Sequence, residues 1–94
     1  ACREAFLIQS GIMWYVYIIE SQEKDWKYVG ITDELKSRVQ KHNRGEVQST
    51  KHYRPFILAA YVAVRDKERA AALEKYFKTG SGRAILKKRI LGSV

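Results

Sequence analysis

Two short runs of β-branched and aromatic residues, MWYVYIIE at 13–20 and WKYVGI at 26–31, flank five polar residues, and this pairing constrains the fold more than any other feature of the chain. Side chains of this kind are stiff at the first torsion and favour extended backbone. The intervening SQEKD has little to bury, so the spacing predicts a β-hairpin. Alternation along each strand puts Tyr15, Tyr17 and Ile19 on one face of the first, and Trp26, Tyr28 and Gly30 on one face of the second. With a suitable register, Tyr17 and Tyr28 project from the same side.

The period then changes. Leu35, Val39 and His42 recur at i, i+4 and i+7, which marks the buried stripe of a helix running to about Asn43. Thr32 or Asp33 is suited to cap its start, and Gly45 follows where a left-handed residue ends helices. Arg38 flanks the stripe one turn before His42. Residues 45–55 are polar, end in the single proline, and read as a loop. FILAAYVAV at 56–64 predicts a third strand, and its unbroken apolar character predicts burial on both faces.

Asp66 is placed to cap a second helix reaching about Thr79, with Ala70, Leu73 and Phe77 toward the core and Glu74 on the edge of that stripe. Gly80 and Gly82 are expected to break the chain before a last short basic helix at 83–91, anchored by Ile85, Leu86 and Ile90. The predicted order is β-β-α-β-α-α. It implies an α+β domain with a small three-stranded, at least partly antiparallel sheet flanked by helices.

Length and composition fit that picture. Ninety-four residues support one core, and a hydrophobic fraction of 46% with 12% aromatics argues against disorder. The first twelve residues, ACREAFLIQSGI, precede the single methionine and carry neither a signal-peptide plan nor a strong period. They read as an N-terminal extension, with Met13 as the natural start and the domain at 13–94. One cysteine, Cys2, forms no internal disulfide and makes no zinc set with two histidines, which fits a reducing cytoplasm. No apolar run approaches the roughly 20 residues that span a bilayer.

Eighteen Lys and Arg against ten Asp and Glu give a charge of +8 spread from Lys24 to Arg89, which favours a polyanionic partner. Nucleic acid ranks ahead of an anionic membrane surface.

The ordered set of motifs goes further. YVY stands at 15–17, YVG at 28–30, Arg38 precedes HNRG at 42–45, and Glu74 precedes KTGSGR at 78–83. A Y-x-G tripeptide alone arises often by chance, whereas the set in this order is specific. It resembles the GIY-YIG nuclease superfamily, above all its small single-domain bacterial members, and is similar to the excision-repair endonuclease N-terminal domain and the homing-endonuclease catalytic domain. The resemblance runs from residue 13 to about residue 91.

It implies a DNA endonuclease that hydrolyses phosphodiester bonds with water, using a tyrosine general base and one divalent metal, Mg²⁺ or Mn²⁺, on Glu74. Tyr17, Tyr28, Arg38, His42 and Glu74 are the implied catalytic set, with Tyr17 favoured as base and Tyr28 as its hydrogen-bonding or water-orienting neighbour. The residue types suit the chemistry. Arg38 offers a planar, permanently charged fork for phosphate oxygens. Glu74 offers a hard oxygen to a metal that keeps most of its waters. A phenol with an ordinary pKa near 10 needs help to act as a base, and His42 titrates where it can share the proton.

Two positions depart from the family pattern: Tyr15 replaces the first motif's glycine, and Ile31 stands where several relatives carry lysine, so His42 or Lys51 is left to supply that cation.

Lys51, Tyr53, Arg54, Lys78, Arg83 and Lys87 are the expected DNA contacts, with Tyr53 or His52 placed to stack on an unpaired base. A branched, flapped or single-stranded DNA in repair or recombination is the implied substrate; the oligomeric state is open. Competing readings exist for each residue. Tyr17 and Tyr28 also suit a plain cross-strand pair, Glu74 and Lys78 an i, i+4 ion pair, and His42 a satisfied core histidine. The principal alternative is a catalytically inactive nucleic-acid-binding module of the same fold.

Overall fold

A computed structural model describes residues 13–92. The expected extension at 1–12 lies outside the described residues. Strands β1 (Trp14–Ser21) and β2 (Lys27–Thr32) form the hairpin, followed by helix α1 (Leu35–Asn43), a 3₁₀ turn at Lys51–Tyr53, strand β3 (Phe56–Val64) and helix α2 (Lys67–Phe77). A short helix α3 (Gly80–Ile85) continues into a π-type turn at Leu86–Ile90. The sheet runs β2-β1-β3 with both pairings antiparallel, so the class and order match the expectation.

β1 is the middle strand and the centre of the core: residues from Tyr15 to Ile19 are at most 2% exposed. Alternation splits them between two clusters. Val16 and Ile18 pack with Ala70, Phe77 and Leu86 from α2 and the π-type turn. Tyr17 and Ile19 pack with Phe56, and around them lie Trp26, Tyr28, Leu35, Val39 and Tyr53. One face therefore carries the C-terminal helices, and the other carries the tyrosines and α1. Among the described residues no helix is long and apolar enough to cross a membrane.

β3 departs from the expectation of burial on both faces. Ile57, Leu58 and Tyr61 are 44%, 38% and 46% exposed. β3 is an edge strand rather than a central one, and the helices cover only part of it. A bulge accompanies the edge: Ile18 pairs with Ala60 and Ile19 with Leu58, leaving Ala59 as the extra residue.

The helix ends also refine the reading. The N-cap position of α1 is Glu34, while Thr32 Oγ1 accepts from Glu34 N at 3.0 Å, a turn just ahead of the helix. Asp66 caps α2 as expected, accepting from Arg69 N at 2.8 Å. Gly45 adopts φ +78, the left-handed end expected after α1. Gly80 and Gly82 do not break the chain; with Thr79 as N-cap they begin α3. Gly82 is buried because α3 turns so closely under α2 that a Cβ there would overlap the Tyr76 carbonyl. Ile85 and Ile90 stay largely exposed, while Leu86 and Leu91 face the core. The bond from Leu91 N to Leu86 O, 2.7 Å, spans five residues and sets that phase.

Candidate active site

The site begins with strand register. In the β1–β2 pairing Tyr17 lies opposite Gly30 and Ile19 opposite Tyr28, so both tyrosines emerge on one face, as the alternation requires. A Cβ on Gly30 would collide with the Tyr17 hydroxyl and ring carbon and with the Tyr28 ring. Glycine therefore gives the Tyr17 phenol its place. Tyr17 is fully buried, and its ring centre stands 6.3 Å from that of Tyr28.

Helix α1 carries the next two groups onto that face. His42 Nε2 lies 2.8 Å from Tyr17 Oη, and Arg38 Nε donates to the same oxygen at 3.4 Å. The hydrogen-bonding neighbour of Tyr17 is thus His42 rather than Tyr28. On its other side His42 Nδ1 lies 2.8 Å from Thr50 Oγ1. The Thr50 hydroxyl also lies 3.5 Å from the Val47 carbonyl. In the tautomer that donates Nδ1–H to Thr50, that hydroxyl is free to donate to Val47 and Nε2 accepts the Tyr17 O–H. The contacts form a chain of Tyr17, His42, Thr50 and the Val47 carbonyl.

Burial, helped by the Arg38 charge, lowers the His42 pKa to about 4, below the near-neutral titration expected of it, so the imidazole is neutral at pH 7. The Tyr17 phenol is raised above its ordinary value. Burial is the main cause, with Tyr28 and the Glu74 carboxylate adding to it, and the Arg38 hydrogen bond and charge pull the other way. Glu74, half-buried on α2, also holds Lys78 Nζ at 3.2 Å, and that ammonium stands 6.0 Å from the centre of the Tyr28 ring. The expected Glu74–Lys78 ion pair is therefore present, with its ammonium toward Tyr28. Asn43 plays a tying role: its side chain accepts from Phe56 N at 2.6 Å and donates to Phe56 O at 3.2 Å, fastening the end of α1 to β3.

This set of side chains coincides with a family match: residues 13–89 fit the GIY-YIG catalytic domain. The chain belongs to the GIY-YIG family. GIY-YIG domains are nucleases, in general metal-dependent, that act on nucleic acid. In fold the chain is similar to a small UPF0213 protein from Bacillus halodurans solved in solution by NMR, at 30% identity and a TM-score of 0.54, over 85% of this chain and 87% of that one. No curated protein matches the sequence.

For the metal that GIY-YIG domains in general use, Glu74 is the candidate donor. Among the described residues no cluster of three or more His, Cys, Asp or Glu exists, and Glu74, paired with Lys78 near the Tyr28 ring, is the carboxylate that the motifs supply. A single carboxylate fits Mg²⁺ or Mn²⁺, which retain water and take phosphate oxygens as further ligands, and does not fit a closed structural zinc site.

The expected DNA contacts divide into two groups. Lys78, Arg83 and Lys87 line one groove with Tyr28. Lys51, Tyr53 and Arg54 lie on the segment before β3, where Tyr53 stacks on Trp26 at 3.9 Å and the Arg54 guanidinium occupies the space beside Gly45 that a side chain would fill. Thr50 was not foreseen from sequence. A threonine in a polar loop carries no signal of its own, and only its fixed spacing of eight from His42 was available to suggest it.

Proposed function

We propose that this GIY-YIG domain is an active, metal-dependent DNA endonuclease rather than an inactive binding module. The observation that carries the reading is the 2.8 Å hydrogen bond between the buried Tyr17 hydroxyl and His42 Nε2, with Arg38 on the same oxygen. A purely structural tyrosine needs no guanidinium on its oxygen; a general base for phosphodiester hydrolysis uses one.

Arg38 binds a non-bridging oxygen of the scissile phosphate and offsets the charge that builds there. The attacking water gives its proton to Tyr17 Oη while Tyr17 passes its own proton to His42 Nε2, so no free phenolate is required at neutral pH. The imidazolium that forms lies close to the incoming phosphate charge, and Thr50 keeps its ring in line. Glu74 would hold the Mg²⁺ or Mn²⁺, which would supply Lewis-acid stabilisation of the developing charge. Tyr28 borders the site as an orienting group. Lys51, Arg54, Lys78, Arg83 and Lys87 neutralise phosphates along the strand, with Tyr53 among them as a contact residue. Branched, flapped or single-stranded DNA in repair or recombination is the substrate proposed.

The test is cleavage of supercoiled plasmid and of a branched oligonucleotide with Mg²⁺ or Mn²⁺, against a chelator control, for the wild type, Glu74→Gln and Arg38→Ala. Cutting by the wild type that chelation abolishes, and that either variant reduces by about 10²-fold or more, supports the reading. No cutting by the wild type, or cutting by both variants at the wild-type rate, refutes it.

A further inference from the structure

A groove of about 610 Å³ runs from the edge of the tyrosine cluster toward the C-terminal helices. Tyr28 and Val29 both line it although successive strand residues point to opposite faces, so it follows the outer edge of β2. Its near wall is aromatic. Trp26 is held flat against Tyr53, ring centres 3.9 Å apart and planes within 8°, and lies 6.2 Å from Tyr28 with planes 24° apart. Its far wall carries Arg83 and Lys87, and Lys78 stands at the end nearest Glu74. Asp25 is its one acidic lining residue.

We propose that this groove is a binding site for an unpaired nucleotide flanking the scissile phosphate, so that the domain selects DNA with a single-stranded segment at the cut. The inference rests on the nuclease reading for its position, and its own support is the composition of the walls. Aromatic rings against a row of cations are the means by which single strands are held: bases stack while phosphates are neutralised, with little regard to sequence. The groove has the volume of a small-ligand site, room for one or two nucleotides and not for a duplex. A paired base has its faces covered by its neighbours and cannot stack on Trp26. Prior packing of Trp26 on Tyr53 fixes the ring before the strand arrives, which lowers the ordering cost of binding.

Trp26 reports on this directly. In a Trp14→Phe protein it is the single tryptophan, and titration in EDTA keeps cleavage out of the measurement. Titration with a short oligo(dT) is expected to quench Trp26 fluorescence as anisotropy of labelled DNA rises, and a blunt duplex is expected to bind without quenching. Trp26→Ala and the exposed double reversal Arg83→Glu/Lys87→Glu should each weaken oligo(dT) binding by about 5- to 100-fold. Trp26→Ala should leave duplex binding within about twofold, and Trp26→Phe should restore most of the single-strand affinity. The reversal leaves the core untouched and so guards against a folding defect in Trp26→Ala. Oligo(dT) binding without any Trp26 response, no oligo(dT) binding, or equal loss of single-strand and duplex binding in Trp26→Ala overturns the proposal. Quenching by a protein that never cuts would preserve this site and refute the nuclease reading; cutting with a silent Trp26 would do the reverse.

Discussion

Gly30 sits directly across the β1–β2 pair from Tyr17, and the space left by its missing side chain is the space the Tyr17 phenol fills. The glycine of the YVG motif is thus a steric condition for the tyrosine of the YVY motif. Gly30→Ala should force Tyr17 off its position, destabilise the fold by about 1–3 kcal/mol and depress cleavage more than stability loss alone explains. Urea denaturation and a cleavage assay on the folded variant check this. Wild-type cleavage by Gly30→Ala would show that Tyr17 has freedom the packing does not suggest.

Thr50 is expected to act through His42. Thr50→Val keeps the shape, removes the acceptor for Nδ1–H and should cost about 1–3 kcal/mol, while Thr50→Ser keeps the hydroxyl and should remain close to wild type in stability and cleavage. ¹⁵N chemical shifts of the His42 ring distinguish the tautomers, and a loss of the Nδ1–H form should appear in Thr50→Val alone.

Stability should fall in acid through His42. The folded chain releases this proton at about 4 rather than 6.5, so between those values the unfolded chain binds more protons. Stability is therefore lost as pH drops from about 6.5 toward about 4, by at most about 3 kcal/mol, with nothing further from this group below that range. Urea midpoints at pH 7, 5.5 and 4.5 for the wild type and His42→Gln measure it. The variant should be less stable at pH 7 and flatter across the window; a wild type as flat as the variant contradicts the buried, neutral imidazole.

The two glycines of α3 should respond in opposite ways. Gly82→Ala drives a methyl into the Tyr76 carbonyl and should destabilise by about 1–3 kcal/mol. Gly80 has nothing within reach of a Cβ, so Gly80→Ala should gain up to about 1 kcal/mol from helix propensity and unfolded-state entropy. Thermal melts separate them.

The sequence carried the hairpin, the face shared by Tyr17 and Tyr28, and the Asp66 cap, because each depends on local period or local hydrogen bonding. It misjudged β3, whose apolar run reads as a central strand while its place at the sheet edge is decided by pairing elsewhere in the chain. After Gly82 it placed Leu86 correctly in the core but took Ile90 for an anchor in place of Leu91, since a π-type turn shifts the phase that a helical period assumes. Within the site, the motifs named Tyr17, Arg38, His42 and Glu74, but the partner of Tyr17 depends on where α1 docks. Docking selected His42 over Tyr28 and brought in Thr50 from a loop with no pattern to reveal it.

The central claim is that the Tyr17 hydroxyl moves the proton. Tyr17→Phe retains the ring, its burial and its packing on Gly30, and deletes only the oxygen that bonds His42 and Arg38. The decisive measurement is the Mg²⁺- or Mn²⁺-dependent single-turnover cleavage rate of Tyr17→Phe beside wild type, with circular dichroism confirming that both are folded. A fall of about 10²- to 10⁴-fold is predicted. Cleavage by Tyr17→Phe at the wild-type rate would contradict it.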